Sequence, residues 1–503
     1  MKIRIIASSD IHGYIYPLNY ADNSFCDIGM LKLINTAYKH KTENTLFIDN
    51  GDTIQGSPLM NYFYSHNKNN NPITELINNN YDYVNLGNHD FGYGNDVLLD
   101  YINNINNKCI CGNVLYKGKH IGKEYVVHEF DKDNRVALIG AVTQYTSKFE
   151  SKETLEGLQF IDAYEYIRET IKIIKEKENV KAIIVIYHGG FEADFEGKLL
   201  EKNDENEGYK IIKNLDFDIL ISGHQHRSIY TKCFNKLISQ TNQKGKEFAL
   251  IDFDLDNKEG EVKLIQSNGE VSKEDLDKYQ QLQEETQVWL DQNIVDINSN
   301  ELKILDGLQA RINKHKLISF INNVQLSKTH SELSATSLFN NATGFNSNIT
   351  MRDLLSTYIY ENTLVKVRIN GKTLKKYLEK CAEYFDVKNN EVVVSERYLK
   401  PVERHFDYDM VDGIDYTIKA SNKVGERIVE LKYKDKNVKE DDEFTLTINN
   451  YRYGGAGGFE FMNELEVIET YDEDMVSLLY KYLKNNNSLE IKHKDNIKVI
   501  IWT

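Results

Sequence analysis

Histidine, aspartate and asparagine recur in this chain where a short apolar run has just ended. Residues 2–7 run into Asp10-Ile11-His12, 45–48 into Asp49-Asn50-Gly51-Asp52, and 83–86 into Gly87-Asn88-His89-Asp90. Two later runs, 182–187 and 218–221, end in His188-Gly189-Gly190 and Gly223-His224-Gln225-His226. Imidazole nitrogens with a few carboxylate and amide oxygens are donors for divalent metals, and this mixture suits Zn, Mn, Fe or Co better than Ca or Mg. Each piece alone has an ordinary reading. Asp-x-His is a common strand-end turn, Gly87 to Asp90 could be a tight turn, and a lone His188 is more often a hydrogen-bonded edge residue. Gly223-His224-Gln225-His226 is more specific, because alternate residues of an extended chain can reach two metals side by side. Ligands of open α/β sheets gather outside the carboxyl ends of the strands, so five such segments in series are expected to converge on one crevice.

The elements that must position them read as an α/β domain. Six buried strands are expected at 2–7, 45–48, 83–86, 136–139, 182–187 and 218–221, from their β-branched apolar runs. Between two of them, 162–177 reads as a helix. Asp162 and Glu165 make its capping box, and Tyr164, Ile167, Ile171 and Ile174 form its apolar face. The polar helix expected at 272–292 reads equally as a connection between domains or as a surface helix of the first. Beyond it lie hairpin-like pieces at 364–369 (closed by Asn370-Gly371), 416–420 and 444–448, with a helix at 373–385, so the second half reads as α+β. The expected organisation is a first domain over 1–270, a linker helix over 271–300 and a second domain over 301–503.

Composition narrows the function classes. With 503 residues and 41% hydrophobic content the chain can bury a sizeable core. Its five cysteines are too few and scattered for a disulfide framework, and Cys109-Ile110-Cys111 reads as a buried strand rather than a zinc pair. A formal charge of −16 argues against a nucleic-acid polymer as partner, because counterion release needs clustered Lys and Arg. No apolar run approaches the ~20 residues of a membrane span, and Asp10 and His12 interrupt the N-terminal run before a signal-peptide core of ~7–15 residues is complete. A cytoplasmic location without membrane contact is therefore expected.

Asp10/His12, Gly51-Asp52, Gly87-Asn88-His89-Asp90, His188 and Gly223-His224-x-His226 together resemble the signature of the calcineurin-like metallophosphoesterases. More narrowly, the chain resembles the two-domain 5′-nucleotidase and 2′,3′-cyclic-nucleotide 2′-phosphodiesterase/3′-nucleotidase family. The segments Tyr-Ile-Tyr-Glu-Asn-Thr-Leu ending at Leu364, Phe-Asp-Tyr-Asp-Met-Val-Asp-Gly ending at Gly413 and Asn-Asn-Tyr-Arg-Tyr-Gly-Gly ending at Gly455 are similar to the cyclic-nucleotide branch. So is Asp49-Asn50-Gly51-Asp52 with Gln55-Gly56-Ser57-Pro58.

The resemblance implies an N-terminal metallophosphoesterase α/β sandwich and a C-terminal α+β nucleotide-binding domain. It implies two divalent ions, one on Asp10, His12, Asp52 and His226, the other on Asp52, Asn88, His188 and His224, with Asp52 shared. Two such ions bring +4 and the two aspartates return −2, so the site stays cationic for a phosphate ester inside an acidic protein. His89, left over from the ligand set, is expected to donate a proton or hydrogen bond to the phosphoryl or leaving oxygen. The 5′-nucleotidase branch has an aspartate three residues after this histidine; here Gly92 stands there, and Asp90 is the nearest carboxylate.

A nucleobase needs a slot between aromatic rings. Tyr360, with Asn362 beside it, and Phe459 resemble the walls of the family's slot, with Tyr453 in reserve. The 5′-nucleotidase branch carries an arginine in a Gly-rich segment upstream of the first ring; the comparable stretch here, 340–349, has none. The expected activity is therefore hydrolysis of 2′,3′-cyclic nucleotides and 3′-nucleotides. The alternatives are a 5′-nucleotidase and a non-catalytic nucleotide-binding protein.

Overall fold

A computed structural model describes residues 1–21, 23–66, 68–150, 152–199, 204–297, 299–358, 362–400, 403–471, 473–485 and 491–502. The chain separates into two compact units, Met1–Gln287 and Val288–Thr503. The boundary falls inside a helix, Lys273–Leu290.

The first unit is built on two sheets. One has the order Glu259–Gln266, Glu247–Asp254, Lys2–Ser8, Thr45–Asp49, Tyr83–Val84; the other runs Ile229–Cys233, Lys236–Gln240, Ile219–Ser222, Ala182–His188, Asn134–Val142, Val126–Asp131. Alternation in Lys2–Ser8 points Ile3, Ile5 and Ala7 to one face. There they join Leu46 and Ile48 and pack against Leu138, Ile184, Ile186 and Ile219 of the second sheet. The opposite face of that sheet packs Ile139, Ile183 and Val185 against Ile167, Ile171 and Ile174 of helix Ala163–Lys177 and Ile211 of helix Gly208–Asn214. The apolar stripe expected for the first of these helices is the one buried, and the Asp162 side chain accepts from Glu165 N at its N-terminus.

Strands 2–8, 45–49 and 83–84 are mutually parallel, as are 134–142, 182–188, 219–222 and 236–240. Each set therefore delivers its carboxyl ends to one edge of its sheet. Two buried asparagines tie those edges together. Asn85 Nδ2 donates to Ala141 O at 2.8 Å, and Asn50 Nδ2 donates to Tyr187 O at 3.2 Å. Cys109 and Cys111 bridge to Val84 of one sheet and Gly140 of the other. Burial lifts the Cys109 thiol to about 12, which makes it an inert packing group.

The second unit is α+β with a single large core. Its main sheet has the order Asp409–Asp412, Leu333–Ser337, Glu443–Asn449, Leu364–Asn370, Val467–Tyr471. A second sheet is formed by Lys436–Asn437, Ile428–Tyr433, Asp415–Lys419 and Ile497–Ile500. Asn370-Gly371 does not close a hairpin as expected. Asn370 caps helix Gly371–Ala382 by accepting from Thr373 N, and strand Leu364–Asn370 instead pairs with Glu443–Asn449. No helix among the described residues is long and apolar enough to cross a membrane.

Candidate metal centre

The loops after strands 2–8 and 45–49 close on each other through their backbones. Asp10 N donates to Gly51 O at 2.9 Å, His12 N to Asp52 O at 2.7 Å and Gly13 N to Thr53 O at 2.8 Å. To turn the side chains inward, this arrangement puts Asp10, His12 and Asp52 in the left-handed region, at φ of 58°, 51° and 54°. His224 and His226 share that conformation at 70° and 54°. Left-handed backbone costs an L residue roughly 1–2 kcal/mol, so five such residues at one site persist only because the surrounding structure fixes them. Two glycines make the close approach feasible. A Cβ on Gly51, at φ 88°, would lie 2.1 Å from Gly87 N, and one on Gly87 would lie 2.1 Å from Asp52 Oδ1.

All seven expected metal ligands come together at the carboxyl ends of the strands. Donor atoms of Asp10, His12 and His226 lie within 4.8 Å of one another, as do those of Asp10, Asp52 and His188. His226 Nε2 is 3.3 Å from Asp10 Oδ1, and His188 Nε2 is 3.2 Å from Asp52 Oδ2. Asn88 Oδ1 and His224 Nδ1 are 2.8 Å apart. Asp10 belongs to both three-residue groups. Asp52 reaches both sides as well, its Oδ2 being 3.8 Å from His12 Nε2.

These donors fit divalent ions. His12 Nδ1 faces Gln55 O at 3.2 Å and His188 Nδ1 faces Asn50 O at 2.7 Å, so each ring in its neutral form gives its N–H to a carbonyl and turns the Nε2 lone pair to the pocket. His12 Nε2 and His226 Nε2 approach to 3.1 Å, a contact that invites a shared cation. His188 Nε2 is buried and makes no hydrogen bond. Burial holds His12 down at about 3. Burial also pulls His188 down, but the charges of Asp52 and Asp10 outweigh it and lift the ring to about 10. Burial likewise works against ionisation of Asp10, yet His188 and His226 hold it at about 2. The pocket thus keeps its two carboxylates charged and calls for positive charge between them.

His89 gives its backbone N–H to Asp52 Oδ1 at 2.7 Å, and its ring lies edge-on to His12 at 5.2 Å. Asp90, the nearest carboxylate and a catalytic candidate from the sequence, is corrected to a structural role. Its two oxygens accept from the backbone N–H groups of Asp52, Thr53, Ile54 and Gly87 at 2.8–2.9 Å, and the group is wholly buried. Asp90 thus staples two strand-end loops together through both of its oxygens. One contact escaped the sequence reading altogether: Glu205 Oε1 lies 2.9 Å from His224 Nε2. Glu205 sits in a run of charged residues with no motif to single it out.

In the second unit, Tyr360 lies outside the described residues. Asn362 is buried, and its carbonyl accepts from Met475 N. Tyr453 is half-buried against the core. Phe459 is corrected as a wall of a base slot. Its ring is fully buried, with the Arg452 guanidinium 3.9 Å over one face and Tyr377 edge-on at 5.5 Å. Arg452 is itself buried and bound through Nε to Asp409 Oδ2 at 2.5 Å. Tyr451 and Phe406 also keep exposed surface, and their rings lie T-shaped at 6.1 Å. The sequence motif contained Tyr451, but spacing alone did not separate it from its neighbours.

Comparison with known proteins places both halves. Residues 3–228 match the calcineurin-like phosphoesterase family and 298–464 match the 5′-nucleotidase C-terminal domain. A Staphylococcus aureus protein, designated provisionally as a 5′-nucleotidase and crystallised with alpha-ketoglutarate, is 31% identical. The match covers 99% of this chain and 100% of that one, with a TM-score of 0.87. The trifunctional nucleotide phosphoesterase protein YfkN of Bacillus subtilis is 25% identical over 99% of this chain, which spans only 39% of that relative's length. The 2′,3′-cyclic-nucleotide 2′-phosphodiesterase/3′-nucleotidase of Haemophilus influenzae is 24% identical over 97% of this chain and 85% of its own. With the clustered donors at the strand ends and both domain types matched, the chain belongs to the two-domain calcineurin-like metallophosphoesterases of the 5′-nucleotidase family.

Proposed function

We propose that this chain hydrolyses nucleotide phosphoesters, converting 2′,3′-cyclic nucleotides to 3′-nucleotides and these to nucleosides and phosphate. The observation that carries the reading is the pair of donor groups meeting at Asp10, with His188 Nε2 buried and facing the carboxylates of Asp52 and Asp10. One ion would be held by Asp10, His12, Asp52 and His226, the second by Asp52, Asn88, His188 and His224. A divalent pair of this kind supplies Lewis acidity to a phosphoryl oxygen and a nucleophile at neutral pH. The protein's own residues then orient the ester and donate hydrogen bonds to it. Burial lowers the pKa of His89, so its ring is neutral near pH 7 and offers an N–H to the phosphoryl or leaving oxygen. Tyr451 and Phe406 offer the aromatic surface for the base.

Two observations support the cyclic branch. The 340–349 stretch lacks the arginine used on 5′-phosphates, and the neighbouring arginines are committed elsewhere, Arg352 to Asp291 at 2.8 Å and Arg452 to Asp409. The relative from Haemophilus influenzae carries that activity in its name. The 5′-nucleotidase designation of the Staphylococcus aureus structure favours the second reading. Mn-loaded protein offered 2′,3′-cyclic AMP, 3′-AMP and 5′-AMP separates them, with products resolved by phosphate position. Turnover of the first two with 5′-AMP spared is expected. Preferential loss of 5′-AMP gives the 5′-nucleotidase, and no turnover of any substrate leaves a nucleotide-binding protein.

A further inference from the structure

Glu205 is anchored with more care than a loop carboxylate needs. Its carbonyl accepts from Thr143 Oγ1 at 2.6 Å, and the carbonyl of Asp204 before it accepts from Gln144 Nε2 at 3.0 Å. Asn206 after it, itself buried, accepts from Gly190 N at 2.6 Å, and Glu207 N donates to the Tyr187 hydroxyl at 3.3 Å. Thr143 N in turn donates to His188 O at 2.9 Å. The segment is therefore referenced to the strand ends that carry His188, and the result is a carboxylate set on the outer nitrogen of His224. Both side chains are largely shielded from solvent, at 17% and 11% exposure, so the contact is not a water-screened surface pair.

We propose that Glu205 is a positioning residue for the second metal ion, acting through His224. A carboxylate that accepts the Nε2 proton fixes the tautomer, leaves Nδ1 as a lone pair, and raises the ring's strength as a ligand. That Nδ1 faces Asn88 Oδ1 at 2.8 Å, so both donors turn to one point. Two other imidazoles of the site are oriented through backbone carbonyls, Gln55 O for His12 and Asn50 O for His188. His224 alone among these three has a charged acceptor. The two ions are thereby made unequal: removal of Glu205 weakens the ion on Asn88 and His224 and spares the one on His12 and His226. This inference rests on the two-ion reading of the site.

The test is a Mn²⁺ titration of chelator-treated wild type, Glu205→Ala and Glu205→Gln, read by electron paramagnetic resonance for bound ion and for the coupled pair. Wild type is expected to bind two ions. In Glu205→Ala the second ion weakens about 10–100-fold, the first changes little, and the coupled-pair signal falls at sub-saturating metal. Glu205→Gln, which keeps an uncharged acceptor and the same length, shows a smaller loss at an unchanged melting temperature. Two ions bound as in wild type by both variants would overturn the role of Glu205 alone, as would equal weakening of both ions. Failure of wild type to bind a pair would overturn the two-ion reading beneath it.

Discussion

At the scale of single residues, the site separates groups that look alike in sequence. Asp52 and Asp90 both follow strands and both are buried, yet one offers its carboxylate to three histidine neighbourhoods and the other spends both oxygens on four backbone amides. The environment decides the role. The same holds for Phe459, whose ring belongs to the core of its unit and carries the Arg452 guanidinium on its face. Truncating a buried phenylalanine costs about 3–5 kcal/mol through lost burial and the cavity left behind. Phe459→Ala is therefore expected to lower the urea midpoint, and to leave the ratio of activities on 2′,3′-cyclic AMP and on a small aryl phosphate diester unchanged in the molecules that remain folded. Tyr451→Ala is expected to do the reverse, with little change in midpoint and a selective loss on the nucleotide. A selective nucleotide loss in Phe459→Ala at wild-type stability would restore that ring to the base slot.

At the scale of elements, strand ends are where stability and site geometry are traded. Asp49 closes strand Thr45–Asp49, and its carboxyl group accepts from the Ser8 and Thr53 hydroxyls and from Gly51 N, at the root of the loop that carries Asp52. Burial pushes it up to about 7, against the ordinary carboxylate value near 4. A folded-state pKa raised above the unfolded value contributes stability that is complete below pH ~4 and is lost as pH rises through ~7, a change on the order of a few kcal/mol. Asp49→Asn stays neutral throughout. Denaturation of chelator-treated protein is thus expected to show the variant gaining on wild type between pH 4.5 and 7.5, and parallel stability curves would refute the assignment. The strands and the donors beyond them were legible in the sequence because short β-branched apolar runs and a polar residue after each are local signals. The turn chemistry was not. Asn370-Gly371 has the composition of a hairpin closure, and only the pairing of Leu364–Asn370 with a distant strand reveals a helix cap. Asp90 and Glu205 were illegible for the same reason: three of the four amides on Asp90 lie 36–38 residues away and the ring on Glu205 lies 19 away, and no spacing rule reports which amide or ring a carboxylate will meet.

At the scale of the whole molecule, two units with separate cores share one chain, and all seven candidate ligands lie in the first. An ion that binds only the folded state stabilises the unit that holds it by RT ln(1 + [M]/Kd), about 2.7 kcal/mol when free metal is a hundredfold above Kd. The second unit has no described share in that term. Metal bound by these donors would therefore act as a local clamp on strand ends, opposing the left-handed strain of Asp10, His12, Asp52, His224 and His226 and the repulsion between Asp10 and Asp52. Chelation would then return both costs to the first unit alone. Hydrogen exchange followed peptide by peptide in the intact chain, with and without chelator, reads this directly. Peptides covering 8–13, 49–55, 86–91, 186–190 and 222–227 are expected to exchange about tenfold to a hundredfold faster after metal removal, as openings become 1.4–2.7 kcal/mol easier. Those covering Leu333–Ser337 and Glu443–Asn449 are expected to keep their rates. Acceleration spread evenly over both units would show that the chain folds as one thermodynamic body, and an unchanged pattern everywhere would show that these donors hold no ion at all.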